Sequence, residues 1–593
     1  MNYFVKRPVF GLCLAFALLA IISCAIADDP LEIKDHFIPL DRNLSGQDLS
    51  AAHLNHSDLH GSDLRDSNLS RSYLNQSSLF DANFAKANLS GAIMVGADLH
   101  GSDLSEADLR GANMPVCNMF ASNLTQANLT GAFLAGCYLT RSNLNDADLS
   151  NCFMDQSFAD SSTMIRIKLD RASIGGVKMS DTNLSQASFK KALMDRSTLR
   201  NSLLIGANMT GASLVGASLI NATISHADLS GADLSESRCS EADLSSSRMV
   251  KSRLSFANLT GANLSQSDLF GSILTSSILA GGDLCRTNLT GTNLENALMH
   301  NVRLSEARLT GSNLARAHLE DADLSYSNLE HADLTGALLS GSNLTGACLQ
   351  GARLLSADLS LAVLRKTELS GANLVGSRLN WANLAESTLK RCQFSRAELF
   401  GANLSHCDLS ESDFTRAYLP RARLQGSSLR GTKLDNADLS NTNMSEADLS
   451  GIQIIKVDLD EADLSGADLS GCDMQSMNLR GTVMQRAVLR SASFSWMILN
   501  EVDLRGADLR NARFDTCFLG DVNLSGADLR NAVLSMTALQ NVDLSGANLV
   551  GLKYDLIEIP MIAGCRLDGA KMSAELREEI EKVRSGQNRT VIA

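Results

Sequence analysis

A large apolar residue stands at every fifth position for most of the chain. Counting from Leu44, the series Leu44, Leu49, Leu54, Leu59 runs to Leu549 and Tyr554 without an insertion, 103 positions in one register. Only Ala159 and Cys239 interrupt a set made of Leu, Met, Ile, Phe and Tyr. Two residues before each large residue comes a small one, nearly always Ala, Ser, Cys, Thr or Val from Ala52 onward; Ile167, Ile452, Met477, Met497 and Leu552 are the large exceptions. Five is the period of neither a helix nor a strand, which repeat near 3.6 and 2. A length of 593 residues would otherwise suggest about four ordinary domains. A repeat held for that distance calls instead for one stacked architecture.

The unit, as in "GADLHGSDLSEADLRGAN" (Gly96 to Asn113), resembles the pentapeptide-repeat proteins, whose pattern is A(D/N)LXX. The resemblance covers about residues 42–557. It implies an all-β fold, a right-handed quadrilateral β-helix with four pentapeptides per twenty-residue coil. The Leu and the small residue would face inward and the other three outward. The chain carries independent support for four faces. The residue before each large one is Asp or Asn at 36 of 52 places in the two columns that start at Asn43 and Asp48. In the columns that start at His53 and Asp58 it is so at 16 of 51. A bare five-residue repeat would make these columns equal. Coils stacked ~4.8 Å apart would number about 26 and span roughly 120 Å. Each coil buries little alone, and stacking buries a continuous leucine column. Glycine is frequent two places after Leu, where a turn needs a left-handed backbone. Asn alternating with Asp along a column is expected to hydrogen-bond up the stack and to dilute like charge.

The ends read differently. Lys6 and Arg7 precede the uncharged run Val9–Ala27, the pattern of a secretory signal with cleavage after Ala27. "IISC" also resembles a bacterial lipobox, which would make Cys24 a lipidated first residue and tether the chain to a membrane. A third reading is an uncleaved anchor, since 19 apolar residues just span a bilayer. Each places the rest of the chain outside the cytoplasm. Residues 28–41 read as an N-terminal cap and 558–593 as a C-terminal cap. Pro560, where the register stops, is expected to block further strand pairing. Ser573 and Gly586 bracket a helix with Leu576, Ile580 and Val583 on one face. That helix either caps the last coil or, as in some members of the family, makes a homodimer contact.

Seven of thirteen cysteines (Cys117, Cys137, Cys152, Cys392, Cys407, Cys472, Cys517) fall at the small inward position. No CxxC occurs and the histidines lack ligand spacing, so neither a metal nor any other cofactor is expected. Cys117 and Cys137, one coil apart in one column, fall within disulfide range or form two packed thiols. "GADLSG" lacks the Lys-Ser/Thr of a phosphate loop. "NLT" and "NLS" match glycosylation sequons only because the repeat generates them.

Outward positions that turned apolar carry more information. Phe133 and Phe153 share one column, and Tyr138 and Phe158 share the next. They predict an aromatic patch beside the least regular stretch, Asn151–Ser180. Smaller groups stand at Ile273, Ile278 and Leu298, and at Ile498 and Phe518. Contiguous exposed apolar surface marks contact sites. With 66 acidic against 52 basic residues, binding of nucleic acid through its phosphates is not expected. The pattern therefore points to a non-enzymatic, exported β-helical scaffold that contacts a protein or an envelope component. Two alternatives stand beside it. The resemblance also allows an acidic DNA mimic that binds gyrase, and other β-helices are polysaccharide-active enzymes.

Overall fold

The computed structural model describes residues 42–586. The signal, lipidation and N-terminal cap expectations, with Cys24 and Ala27, lie outside the described residues. The chain divides into two compact units, Met1–Asp283 and Leu284–Ala593.

In the first unit four ladders of parallel bridges advance in steps of twenty residues. They open with Asn43↔Asp63, Asp48↔Asn68, His53↔Tyr73 and Asp58↔Ser78, and are called here faces one to four. In the second unit the same count gives Arg303↔Asp323, Asn288↔Arg308, Asn293↔Asn313 and Leu298↔His318 for faces one to four. The twenty-residue, four-sided coil expected from the columns is thus present in both units. The large residue of nearly every pentapeptide and the small one two places before it are buried, as at Leu104 and Ser102; the exceptions, such as Leu44, Leu49, Leu539 and Tyr554, lie at the ends of the repeat.

One pentapeptide shows why the pattern takes this form. Around Leu104, the Asp103 N–H donates to the Ala82 carbonyl at 3.0 Å, in the coil before. The Leu104 and Glu106 N–H groups donate to Asn123 and Thr125, in the coil after, at 2.7 and 2.9 Å. The Ala107 N–H closes the corner on the Leu104 carbonyl at 3.1 Å. Glu106, third in that turn, has φ +58°, the type II geometry that glycine tolerates best; Gly101 fills the preceding corner at φ +67°. Only the Ser105 N–H lacks a backbone partner, and it donates to Asp103 Oδ1 at 3.0 Å. The Asp/Asn preference is therefore a backbone requirement, since an unpaired amide costs about as much as a lost hydrogen bond. The second carboxamide bond runs along the ladder as expected: Asn123 Nδ2 reaches Asp103 Oδ1 at 2.9 Å, and Asn68 Nδ2 reaches Asp48 Oδ1 at 2.9 Å.

Where the ladder residue is not Asp or Asn, a side chain of the preceding coil can take over. The Gly175 N–H, behind Ser173, donates to Asp155 Oδ1 at 2.7 Å. The Ser180 N–H, behind Lys178, donates to Asp160 Oδ1 at 2.7 Å, and the Ile165 N–H, behind Thr163, donates to Asn145 Oδ1 at 2.8 Å. Proline solves the problem by having no N–H, as at Pro420 behind Tyr418. Pro115 shows the reverse, because Asn113 Oδ1 in front of it is buried without a partner. We expect Asp155→Ala to weaken this region by about 1–3 kcal/mol and to speed amide exchange at Gly175. Unchanged exchange there would refute the assignment, and Asp155→Asn should restore it.

The second unit departs from the rule near its end. Eight three-residue strands appear there, β1 (Gln453–Ile455), β2 (Asp473–Gln475), β3 (Ser493–Ser495), β4 (Ile498–Asn500), β5 (Arg513–Asp515), β6 (Phe518–Gly520), β7 (Val533–Ser535) and β8 (Ala538–Gln540). They pair in parallel as β1-β2-β3-β5-β7 and β4-β6-β8. Each is followed by a wider corner, and the inward residue after it is Val457, Met477, Met497, Val502, Cys517, Val522, Thr537 or Val542. All of these are larger than Ala, but size alone does not open the corner, since Ile167, Val302 and Thr482 close the ordinary turn at 3.2, 3.2 and 3.1 Å.

The C-terminus corrects one expectation. Pro560 does not end the pairing. It starts a short helix, α1 (Ile559–Gly564), with Ile559 and Ile562 buried. Bridges then resume at Asp543↔Arg566 and Asn548↔Lys571, 23 residues apart instead of 20. Two further pentapeptide-like units, with Leu567 and Met572 at the large position, thus follow a three-residue insertion. Helix α2 (Ala574–Arg584) closes the end. Its first turn is capped by Ser573 Oγ, which accepts from the Leu576 N–H at 3.2 Å. Leu576 and Ile580 are buried, and Arg584 donates to the Ala563 and Cys565 carbonyls at 2.9 and 3.0 Å. The apolar face of the helix is thus used within its own chain. Burial and the Glu579 carboxylate at 2.6 Å push the Tyr554 hydroxyl up to about 12. Glu558 is fully buried, and its carboxylate accepts from the Thr537 and Asp555 N–H groups at 3.3 and 2.7 Å.

Candidate interaction surface

The four aromatic residues singled out from the sequence lie on faces three and four of the first unit. Phe133 and Phe153 pair on face three, and Tyr138 and Phe158 on face four. The Tyr138 and Phe158 rings stack at 5.0 Å with planes 5° apart, whereas Phe133 and Phe153 tilt by 42° at 6.2 Å. Tyr138 and Phe153 keep 49% and 47% of their surface exposed, and Phe133 and Phe158 are half-buried. A ring over its neighbour covers one face only, so the ladder spacing leaves edges open to solvent.

The structure adds residues that the ladder columns did not reveal. Val116, exposed, sits on the corner between the two faces, against Gly136 of the next coil. Phe120, exposed on the following corner, lies under the Arg141 guanidinium at 5.9 Å, and the Lys178 ammonium lies over Phe158 at 4.7 Å. Such cations strengthen and border the apolar surface. Phe and Tyr cannot accept a backbone hydrogen bond as Asp does. Among the described residues the Ala135, Thr140, Asp155 and Asp160 N–H groups accordingly have no protein acceptor. The patch presents apolar rings and open backbone donors side by side.

Cys117 and Cys137 are free, buried thiols, not a disulfide. Their Sγ atoms donate to the Met94 and Met114 carbonyls at 2.7 and 2.8 Å. Burial pushes the Cys137 thiol up, and takes Cys392 and Cys407 to about 12, far from a reactive thiolate. No group of three His, Cys, Asp or Glu side chains could hold a metal ion among the described residues. His60 and His100 are separated by Phe80, which stacks on both at 4.7 and 4.9 Å. The smaller apolar groups separate by exposure: Ile273, Leu298 and Ile498 are exposed, and Ile278 and Phe518 are half-buried.

The family described as pentapeptide repeats matches in segments between residues 43 and 156, 198 and 380, and 447 and 551, and a pentapeptide repeat region matches 387–464. The chain belongs to the pentapeptide-repeat family.

Several solved structures are similar to parts of this pentapeptide-repeat chain. HetL, involved in heterocyst differentiation regulation in Nostoc sp. strain PCC 7120, is 32% identical over 34% of this chain and 89% of its own, with a TM-score of 0.22. A pentapeptide repeat protein of the Arabidopsis thaliana thylakoid lumen is 31% identical over 17% and 67%, with a TM-score of 0.13. QnrB1, a plasmid-mediated fluoroquinolone resistance protein, is 17% identical over 48% and 94%, with a TM-score of 0.13. No curated protein matches the chain.

Proposed function

We propose that this pentapeptide-repeat protein is a non-enzymatic interaction scaffold, exported from the cytoplasm, and that it engages a protein or envelope component through faces three and four of its first unit. One observation carries the reading. Tyr138, Phe153, Phe120 and Val116 are all exposed within three coils, on a chain whose ladders elsewhere favour Asp, Asn and Ser. Exposed rings bordered by Lys178 and Arg141 have the make-up of a contact centre, in which aromatic and arginine residues carry most of the energy. The four open backbone donors give a partner polar anchors beside the rings. The export component rests on the charged, apolar and small-residue order of the first 27 residues, which also leaves the lipidated and anchored forms in play.

Exchanging Tyr138 and Phe153 for serine tests the reading. The double variant should keep the melting temperature and lose a partner that the wild-type chain retains from its native extracytoplasmic fraction. Two exposed anchors of this size amount to about 2 kcal/mol or more each, enough to drop retention at least tenfold. Equal retention of every bound protein by both forms would overturn the assignment. Mass spectrometry of the mature N-terminus tests export, through a start at Asp28 or a lipidated Cys24; an intact Met1 in the cytoplasm would sink it.

A further inference from the structure

The second unit carries a charge pattern that the repeat does not require. Residues 390–433 hold eight basic and four acidic residues, and residues 434–476 hold ten acidic residues against Lys456 alone. Many cations of this unit are paired, as Arg378 with Asp358 at 2.8 Å, Arg391 with Glu411 at 2.7 Å and Arg505 with Asp503 at 2.6 Å. Arg421 and Arg423 have no carboxylate within ion-pair distance among the described residues, and neither do Glu461 and Asp463 a cation.

These four residues stand in matching columns. Arg421 and Glu461 occupy the same corner, between faces four and one, two coils apart. Both are exposed and both have left-handed backbones, at φ +60° and +56°. Arg423 and Asp463 occupy the face-one ladder, also two coils apart, with Asn443 between them through Arg423↔Asn443 and Asn443↔Asp463. Turning the unit end over end about an axis across the coil of Asn441 and Asn443 keeps every column in place and reverses the levels. It sets Arg421 at the level of Glu461 and Arg423 at the level of Asp463. The same rotation sets Arg480 at the level of Phe400, which already lies under the Arg421 guanidinium at 5.8 Å and against the exposed Trp381 ring at 5.3 Å. Beside Arg421, Arg423, Asn441 and Asn443 the surface is a shallow open depression.

We propose that the partner of this surface is a second copy of the chain, packed antiparallel along the edge between faces four and one of the second unit. Arg421 and Arg423 of each copy then meet Glu461 and Asp463 of the other. An unrelated acidic protein would satisfy the arginines alone. Only a surface with its own cations at mirrored levels also answers Glu461 and Asp463, and this chain has one. Such an interface is isologous and closes at two copies. It is independent of the aromatic patch on the first unit and of helix α2, whose apolar face is occupied.

The test is the mass of the full chain in solution by sedimentation, from about 1 to about 100 μM. A dimer is expected at low salt, and raising salt to roughly 0.5 M should weaken it, because rim charges are screened. Arg421→Glu with Arg423→Glu should raise the dimer Kd at least about tenfold, and so should Glu461→Arg with Asp463→Asn. The asparagine keeps the acceptor that Asp463 offers the Ser465 N–H at 2.9 Å. Mixing the two double variants should restore a one-to-one dimer, because each then supplies the sign that the other lacks. That restoration separates lost charge pairing from lost folding. A monomer throughout the concentration range overturns the proposal. So does a dimer unmoved by either double variant, or one abolished only by changes in α2.

Discussion

Phe494→Ala is expected to cause a large and local loss of stability. Phe494 and Phe514 are fully buried and stacked at 4.6 Å with planes 4° apart, on the paired strands β3 and β5. Removing one ring of such a pair costs about 3–5 kcal/mol, the lost transfer energy plus a cavity that rigid neighbours cannot close. In a stacked coil the damage stays near its source, since each coil contacts mainly the ones before and after it. Hydrogen exchange should therefore accelerate across about residues 474–534 and remain unchanged in the first unit. A uniform shift over the whole chain would show that the coils melt as one body and would contradict this prediction. Phe494→Leu should recover most of the loss, because leucine is the usual occupant of the column.

Glu558→Ala is expected to release the C-terminal cap. Its carboxylate meets the Thr537 N–H at one of the open corners, where that amide makes no bond to a corner carbonyl. The same carboxylate fixes the Asp555 N–H and with it the entry into α1. The Asp555 amide can turn to water, but the Thr537 amide is buried, and stranding it with a small cavity should cost about 2–4 kcal/mol. Exchange at Thr537 and proteolysis between α1 and α2 should both rise, with α2 released together with its Arg584 contacts. Glu558→Gln keeps an acceptor and should show a much smaller effect. A Thr537 amide as protected in the alanine variant as in the wild type would remove the role assigned to Glu558.

The contrast between these sites shows what the sequence could reveal. The leucine column, the small inward residues and the four unequal columns translate directly into buried side chains and twenty-residue ladders. A period is visible when nothing interrupts it, and 103 positions in register leave no alternative. The end was harder. The insertion that makes α1 shifts Leu567 and Met572 out of the five-residue count, so Pro560 looked like a terminus although pairing resumes beyond it. The aromatic patch was half legible. Phe133, Tyr138, Phe153 and Phe158 stand at ladder positions and show in a column sort. Val116 and Phe120 stand at corners, where outward residues of every kind occur and no pattern marks a departure. The acceptors Asp155 and Asp160 had a readable signal, an acidic residue twenty places before an amide whose own ladder residue is Ser or Lys. It becomes meaningful only once each backbone N–H is followed to its acceptor.

That lending of acceptors has a bearing on how such a chain can be rewritten. Where every coil carries its own Asp or Asn, as around Asp103, twenty residues form a portable cassette that can be duplicated or excised with its hydrogen bonds intact. Between Asn145 and Val215 the cassettes are not portable. Ile165, Gly175, Ser180, Lys190 and Val215 borrow from the coil before them, so a cut that is clean in register still strands a donor on one side and an acceptor on the other. Insertions and deletions of whole coils should therefore collect in the self-sufficient stretches. The borrowing stretch, which adjoins the aromatic patch, is then inherited as a block.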